Sequence, residues 1–200
     1  MIGEQLNNMT AMPELYTERL LIRPFVMDDL QNMHQVNLDA GWAEDTPDDL
    51  EKRRKWLEWQ VINYDALANL YQQPYGDRAV VLKQTGEFVG SVGLVQAFGP
   101  FGQLPHYQAL GITHRYNMPE FGMFWAFLKA HWGQGYATEA AQALIDYAFK
   151  EMSIKRIIAT TEHENENSQA VMRRLGMKVE KNPLPDPFWF QVVGILENES

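Results

Sequence analysis

The sequence predicts a single α+β domain, and three observations carry that prediction. Two strand patterns, DRAVVLK and EFVGSVGLVQAF, meet at the turn-like QTGE as a hairpin. Between residues 120 and 162 a strand, a glycine-bearing turn, a helix and a second strand follow one another. That order makes a βαβ unit, and a right-handed crossover sets its two strands parallel. The 200 residues, 46% of them hydrophobic, suffice for one substantial core, and no repeat, low-complexity tract or interdomain linker divides them.

Taken in order, residues 1–14 read as a flexible N-terminal arm and residues 15–200 as the one domain. TERLLIRPF alternates as a first strand, with Leu20, Ile22 and Pro24 opposite Leu21, Arg23 and Phe25. MDDLQNMHQVNLD is a helix whose acidic start suits the helix dipole. DDLEKRRKWLEWQVINYDALANLYQ is a longer one, with Trp56, Trp59, Ile62 and Leu67 expected to face inward. Residues 98–119, FGPFGQLPHYQALGITHRYNMP, are rich in Gly, Pro and aromatics and read as a long surface connection of functional character. FGMFWAFLK is a buried-looking strand. Residues 134–152 form the best helix, with Ala137, Ala140, Ala141, Leu144, Ile145, Ala148, Phe149 and Met152 on one stripe. KRIIATTE is a strand, SQAVMRRLG a short helix ending at Gly176, and MKVEK and FWFQVVGILE late strands.

Composition removes several function classes. Seventeen basic against 26 acidic residues give a formal charge of −9, which opposes nucleic-acid binding through lysine and arginine. No apolar run approaches a membrane span, and no secretory signal opens the chain. The absence of cysteine excludes disulfides and thiolate metal sites and makes a reducing cytoplasm the default expectation. The five histidines lack helical ligand spacing, so no metal site is expected.

Residues 131–140 read HWGQGYATEA: Gly133 and Gly135 stand directly before the best helix. Glycine admits close approach to the main chain, and a helix start presents unpaired N–H groups that favour anions. The stretch therefore points to a phosphate-bearing ligand, although glycines before a helix are also common as plain turn residues. A P-loop requires Lys and Ser or Thr after its last glycine, but Tyr136 and Ala137 follow Gly135. A dinucleotide fingerprint requires a third glycine, where Thr138 stands, in a first rather than a late βαβ unit.

HWGQGYATEA instead resembles the pyrophosphate-binding turn of the GNAT acetyltransferases, in particular the Rim-type branch of ribosomal-protein N-terminal acetyltransferases. TERLLIRPF is similar to that branch's opening strand, GEFVGSVGL to its central hairpin and ENENSQAVMRRLGM to its late N-x-x-S…L-G-F segment. The resemblance spans the chain from about residue 17. It implies a twisted, mostly antiparallel mixed sheet flanked by helices, with a splayed parallel strand pair where acetyl-CoA lies. By the same resemblance Ala126, Phe127 and Leu128 pair with the pantetheine arm, and the N–H groups of Trp132, Gly133, Gln134, Gly135, Tyr136, Ala137 and Thr138 meet the pyrophosphate. Asn165 and Ser168 fall in the cofactor-contacting N-x-x-S, and both are also favoured helix-capping residues. Trp132 and Tyr136 serve equally as packing residues.

The chemistry implied is direct attack of an amine on the thioester. Backbone N–H donors near Phe127 are expected to stabilise the oxyanion. Many family members place a tyrosine four residues before the late glycine to protonate the thiolate; here that position is Met172, which leaves Ser168 to orient the thiol or a water. Glu120 is the candidate base, two residues from the branch's usual glutamate position at Gly122 and on the same strand face, with a plain surface carboxylate as the alternative. His106 and His114 are further titratable groups in the long connection. Neutralising a lysine-like amine at pH 7 costs about 4–5 kcal/mol and an α-amine about 1 kcal/mol. A site without an assured base therefore favours a peptide N-terminus or an amino-acid-like small molecule. A non-catalytic CoA-binding or sensor protein and a structural interaction domain are the competing readings, and a monomer or homodimer is expected.

Overall fold

The computed structural model describes residues 13–72 and 75–199. Most of the expected arm, residues 1–12, lies outside the described residues. The chain forms two compact units, residues 1–94 with 124–144 and residues 95–123 with 145–200. The strands belong to a mixed sheet; among the described residues the ladder between Met118–Phe127 and Arg156–Thr161 is parallel. The ladders joining Leu15–Tyr16 to Leu20–Arg23, Leu20–Arg23 to Gly76–Leu82 and Gly76–Leu82 to Phe88–Gly99 are antiparallel, as are those of Val192–Glu197 with Arg156–Thr161 and with Lys178–Lys181.

In the first unit β1 (Leu15–Tyr16), β2 (Leu20–Arg23), β3 (Gly76–Leu82) and the start of β4 (Phe88–Gly99) form an antiparallel succession. Two helices, α1 (Leu30–Asp39) and α2 (Pro47–Asn69), supply Met33, Val36 and Leu57 to a core with Phe25, Ala79, Val81, Phe88 and Ala126. The start of α2 follows from its sequence. The Thr46 side chain accepts the Asp49 N–H, Pro47 occupies the first turn, and Asp48 and Asp49 complement the dipole. Its inward face matches the expectation at Leu67 and at Trp56, which packs partly buried against the core, and differs at the other two positions. Trp59 and Ile62 are 49% and 61% exposed, and the buried stripe is Leu57, Gln60, Asn63 and Leu67. The reason is polar: Asn63 Nδ2 donates to the Tyr75 carbonyl at 2.7 Å and Gln60 Oε1 accepts the Asp77 N–H at 3.1 Å. The helix thus satisfies the backbone entering β3, which an apolar stripe could not do.

In the second unit β6 (Arg156–Thr161) pairs in parallel with β5 (Met118–Phe127) and antiparallel with β8 (Val192–Glu197), which pairs in turn with β7 (Lys178–Lys181). The parallel ladder holds only Phe121↔Ile157 and Gly122↔Ile158, although both strands run on beyond it. Residues 110–117 of the expected surface connection are irregular and mostly exposed, but residues 98–109 are structured. They finish β4 and form a 3-10 turn (Phe101–Gln103) and α3 (Pro105–Ala109). Phe101, Leu104 and Tyr107 are fully buried in a core with Ile158, Phe190, Val193 and Ile195. Phe101 stacks on Tyr107 at 5.3 Å and meets Phe190 edge-on at 5.4 Å. Phe101 and Tyr107 are therefore core residues. A last pair of helices, α4 (Tyr136–Lys150) and α5 (Glu166–Arg174), completes the fold, with Ala140, Ala141, Leu144, Ile145 and Ala148 of α4 buried at helical spacing as predicted.

Candidate active site

The end of β5 and the start of α4, both in the first unit, are joined by a short 3-10 turn (Lys129–His131) and a glycine turn. Strand β5 is seated by the Leu128 N–H, which donates to the Val89 carbonyl at 3.0 Å. A Cβ on Gly90 would lie 2.6 Å from the Ala126 carbonyl, so only glycine permits this approach. Alternation along the strand turns the Phe127 peptide groups to the other edge. There the Phe127 carbonyl accepts the Trp132 indole N–H at 2.7 Å. Asp39 of α1 accepts the Lys129 N–H at 2.7 Å, fixing the exit from the strand.

Gly133 and Gly135 both adopt left-handed backbone, with φ of 77° and 82°. A Cβ on Gly133 would meet nothing within 4 Å, and one on Gly135 only Arg19 Nη2 at 3.5 Å. The outer side of the turn is therefore open. Glu139 is the first residue of α4 whose N–H finds a helical acceptor, the Gly135 carbonyl at 3.0 Å. The preceding first-turn amides of Tyr136, Ala137 and Thr138 have no acceptor within the helix. Thr138 Oγ1 is buried with no hydrogen-bond partner among the described residues. An open turn, a bare helix start and an orphaned hydroxyl fit an anionic group.

The second unit holds a separate charged cluster. Glu120 Oε1 accepts the Tyr107 hydroxyl at 2.7 Å and Arg156 Nη1 at 2.6 Å. Arg156 Nε reaches Glu197 Oε1 at 2.6 Å, and His106 Nε2 lies 2.8 Å from the same oxygen. Burial and the Glu120 carboxylate push the Tyr107 phenol far above its ordinary range, so it stays a donor. Burial disfavours the Arg156 charge, but Glu197, Tyr107 and Glu120 outweigh it and hold the guanidinium charged. In α5 the Asn165 side chain accepts the Ser168 N–H at 3.0 Å, so Asn165 caps that helix. Met172 is fully buried, with its Cγ and Sδ 3.1 Å from where a Cβ on Gly194 would stand. It is packing and no proton donor.

A model of the acetyltransferase (GNAT) domain matches residues 19–178. The chain belongs to the GNAT acetyltransferase family. An uncharacterized N-acetyltransferase of Bacillus subtilis (strain 168) is 32% identical over 168 residues, 82% of each chain. A spermidine N(1)-acetyltransferase of Escherichia coli (strain K12) is 27% identical over 172 residues, 84% of this chain and 77% of that one. An acetyltransferase from Agrobacterium tumefaciens str. C58, at 23% identity, shares the fold with a TM-score of 0.67 over 94% of this chain and 95% of its own. The GNAT fold is thus common to sequence and structure, and the chain is an acetyl-CoA-dependent acyltransferase of the N-acetyltransferase class.

Within this GNAT chain the predicted residues divide by unit. Ala126 to Thr138 converge on one turn and strand end, whereas Glu120, Asn165 and Ser168 lie in the second unit. His114 is exposed, and His106 is engaged by Glu197. Among the described residues no group of His, Asp and Glu is arranged to hold a metal, and no helix is long and apolar enough to cross a membrane. Sequence reading missed Arg19, whose guanidinium donates to the Gln134 carbonyl at 3.0 Å and pairs with Glu139 at 2.6 Å. Its only signal was a basic residue in TERLLIRPF, and its partner lies 120 residues away.

Proposed function

We propose that this GNAT enzyme transfers the acetyl group of acetyl-CoA to the α-amine of a peptide N-terminus or an amino-acid-like small molecule, in the manner of the Rim-type branch that its segments resemble. The observation that carries the reading is the open turn at Gly133 and Gly135 ahead of first-turn α4 amides that have no acceptor within the helix. In this reading residues Gly133 to Thr138 bind the diphosphate through main-chain N–H groups, whereas the expected Trp132 N–H is already donated to the Lys129 carbonyl at 3.2 Å. Ala126, Phe127 and Leu128 line the pantetheine arm, and a backbone N–H near Phe127 stabilises the oxyanion. Bound acetyl-CoA supplies an activated thioester whose thiol, with an ordinary pKa near ~8.5, leaves with little proton assistance. That property accommodates a buried methionine at position 172.

Glu120 is the proposed proton acceptor. Its Oε1 is committed to Tyr107 and Arg156, and Oε2 carries no hydrogen bond among the described residues. Oε2 is then the atom that takes the amine's proton, directly or through a water. Ser168 is assigned to orient the thiol, with Asn165 holding the start of its helix. A polyamine acceptor is the second reading, favoured by the spermidine-acetylating relative and by the chain's charge of −9. The test is thiol release from acetyl-CoA over a panel of peptide N-termini, free amino acids, Nα-blocked lysine and spermidine. Turnover concentrated in the first two classes supports the α-amine reading, spermidine alone moves the assignment to polyamines, and a preference for blocked lysine refutes both.

A further inference from the structure

Arg19 sits beside the glycine turn without behaving as an anion ligand. Its charge is already taken: Nε and Nη2 reach Glu139 Oε2 at 2.7 and 2.6 Å. Glu139 Oε1 accepts the Arg19 N–H at 2.9 Å and the Thr17 hydroxyl. Burial works to raise the Glu139 carboxyl, but the hydrogen bonds from Thr17 and Arg19 prevail and hold it below its ordinary range, so the pair is ionised. The guanidinium lies 4.6 Å from the centre of the Tyr136 ring, the first residue of α4. Its remaining nitrogen, Nη1, donates to the Gln134 carbonyl at 3.0 Å.

That last bond has a geometric consequence. In a planar trans peptide the C=O and the following N–H point in opposite directions. With the Gln134 carbonyl drawn to Arg19, the Gly135 N–H is turned away from the guanidinium, toward the open side of the turn. The two flanking glycines place few steric limits on this peptide, so rotation would otherwise present a carbonyl oxygen to an incoming anion. The backbone adds little restraint on the Gln134 carbonyl: among the described residues the neighbouring main-chain bonds run from the Trp132 N–H to Lys129 and from the Glu139 N–H to Gly135.

We infer that Arg19, locked by Glu139 and Thr17, is a positioning residue that sets the Gln134–Gly135 peptide in the anion-accepting orientation. The inference rests on the diphosphate reading above and adds the device that prepares the turn for it. Its alternative is a direct contact between Arg19 and a cofactor phosphate, and the two make opposite predictions for Glu139. A positioning arginine needs its carboxylate; a phosphate ligand is hindered by it.

The experiment compares the affinity of the full chain for CoA with that for pantetheine, which lacks the diphosphate and nucleotide, by titration calorimetry with displacement for the weaker ligand. Variants are Arg19→Gln, Arg19→Lys and Glu139→Gln. The expected result is a fall of about tenfold in the CoA-to-pantetheine affinity ratio in all three, because lysine lacks the fork that spans Glu139 and Gln134. General loosening of the fold lowers both affinities and leaves the ratio at the wild-type value, which overturns the inference. A ratio that Arg19→Lys preserves and Glu139→Gln raises establishes direct phosphate contact and equally overturns it. Wild-type protein that binds CoA and pantetheine alike refutes the diphosphate reading itself, whereas a wild-type preference retained by every variant refutes only the role of Arg19.

Discussion

Asp77 is buried at the start of β3, with its N–H held by Gln60 and its Oδ1 lacking a hydrogen bond among the described residues. Oδ1 lies only 2.2 Å from where a Cβ on Gly93 would stand, so Gly93→Ala is expected to displace the carboxyl and destabilise the fold. Burial raises the Asp77 pKa from 3.8 to about 7, against a smaller opposing pull from the Arg53 charge. A carboxyl whose folded pKa exceeds its unfolded one favours the fold fully below about 3.8, and that favour is lost as pH rises through about 7. Asp77→Asn is therefore expected to gain stability relative to wild type between pH 4 and pH 8, by up to about 4 kcal/mol at 1.36 per pKa unit. Urea unfolding of both proteins across that range checks it, and a difference independent of pH contradicts it. For Glu120, Glu120→Gln is expected to lower kcat about 100-fold or more if Oε2 takes the proton. Measuring kcat on protein shown folded by its thermal transition separates that loss from the cost of unpairing Arg156. Gly133 and Gly135 were legible in the sequence because two glycines directly before a strong helical stripe mark an open main-chain turn at a helix start. Asp77 and Arg19 were not, because what matters about them is a partner supplied by tertiary structure.

The glycine turn and α4 act as one element, and both were readable locally. A helical stripe of alanines and aliphatics needs no tertiary information, and the two glycines fix where the helix starts. Gly135→Val forces a β-branched residue to φ of 82°, a cost of about 1–3 kcal/mol, and is expected to abolish the rise in Tm that CoA gives the wild type. Thermal shift at saturating CoA checks this, and a wild-type-sized shift in the variant contradicts it. Residues 110–117 are the exposed connection expected. The first part of segment 98–119 departs from its reading as a surface connection because Gly, Pro and aromatic residues look alike in a loop and in a short buried turn. Only the stacking of Phe101 on Tyr107 and the bond from Tyr107 to Glu120 distinguish them. The face of α2 was displaced for a similar reason: Gln60 and Asn63 read as surface residues until the backbone they satisfy is known.

Across the whole molecule, patterning gave most strands and helices in order, the hairpin and the parallel neighbours of the βαβ unit, but not β1 or α3. The mostly antiparallel mixed sheet was implied by the GNAT resemblance, and the family match supports it. The division into two compact units left no trace in composition, since β4, β5 and α4 each pass from one unit into the other without a linker. A formal charge of −9 has its own consequence for the acceptor. An acidic surface accelerates encounter with a cationic amine and salt screens that attraction, with a Debye length of about 8 Å at 0.15 M. For the best acceptor of the panel, kcat/KM is expected to fall as ionic strength rises from 10 to 300 mM (on the order of severalfold). A salt-independent value would show that the field plays no part in capture.

The most direct test concerns the main chain itself. Backbone amide resonances of the isotopically labelled protein, followed during titration with CoA, report which N–H groups meet the ligand. The largest displacements are expected on Gly133, Gln134, Gly135, Tyr136, Ala137 and Thr138, with Phe127 next. Saturating CoA that leaves these amides in place, while others move or none do, would contradict that expectation.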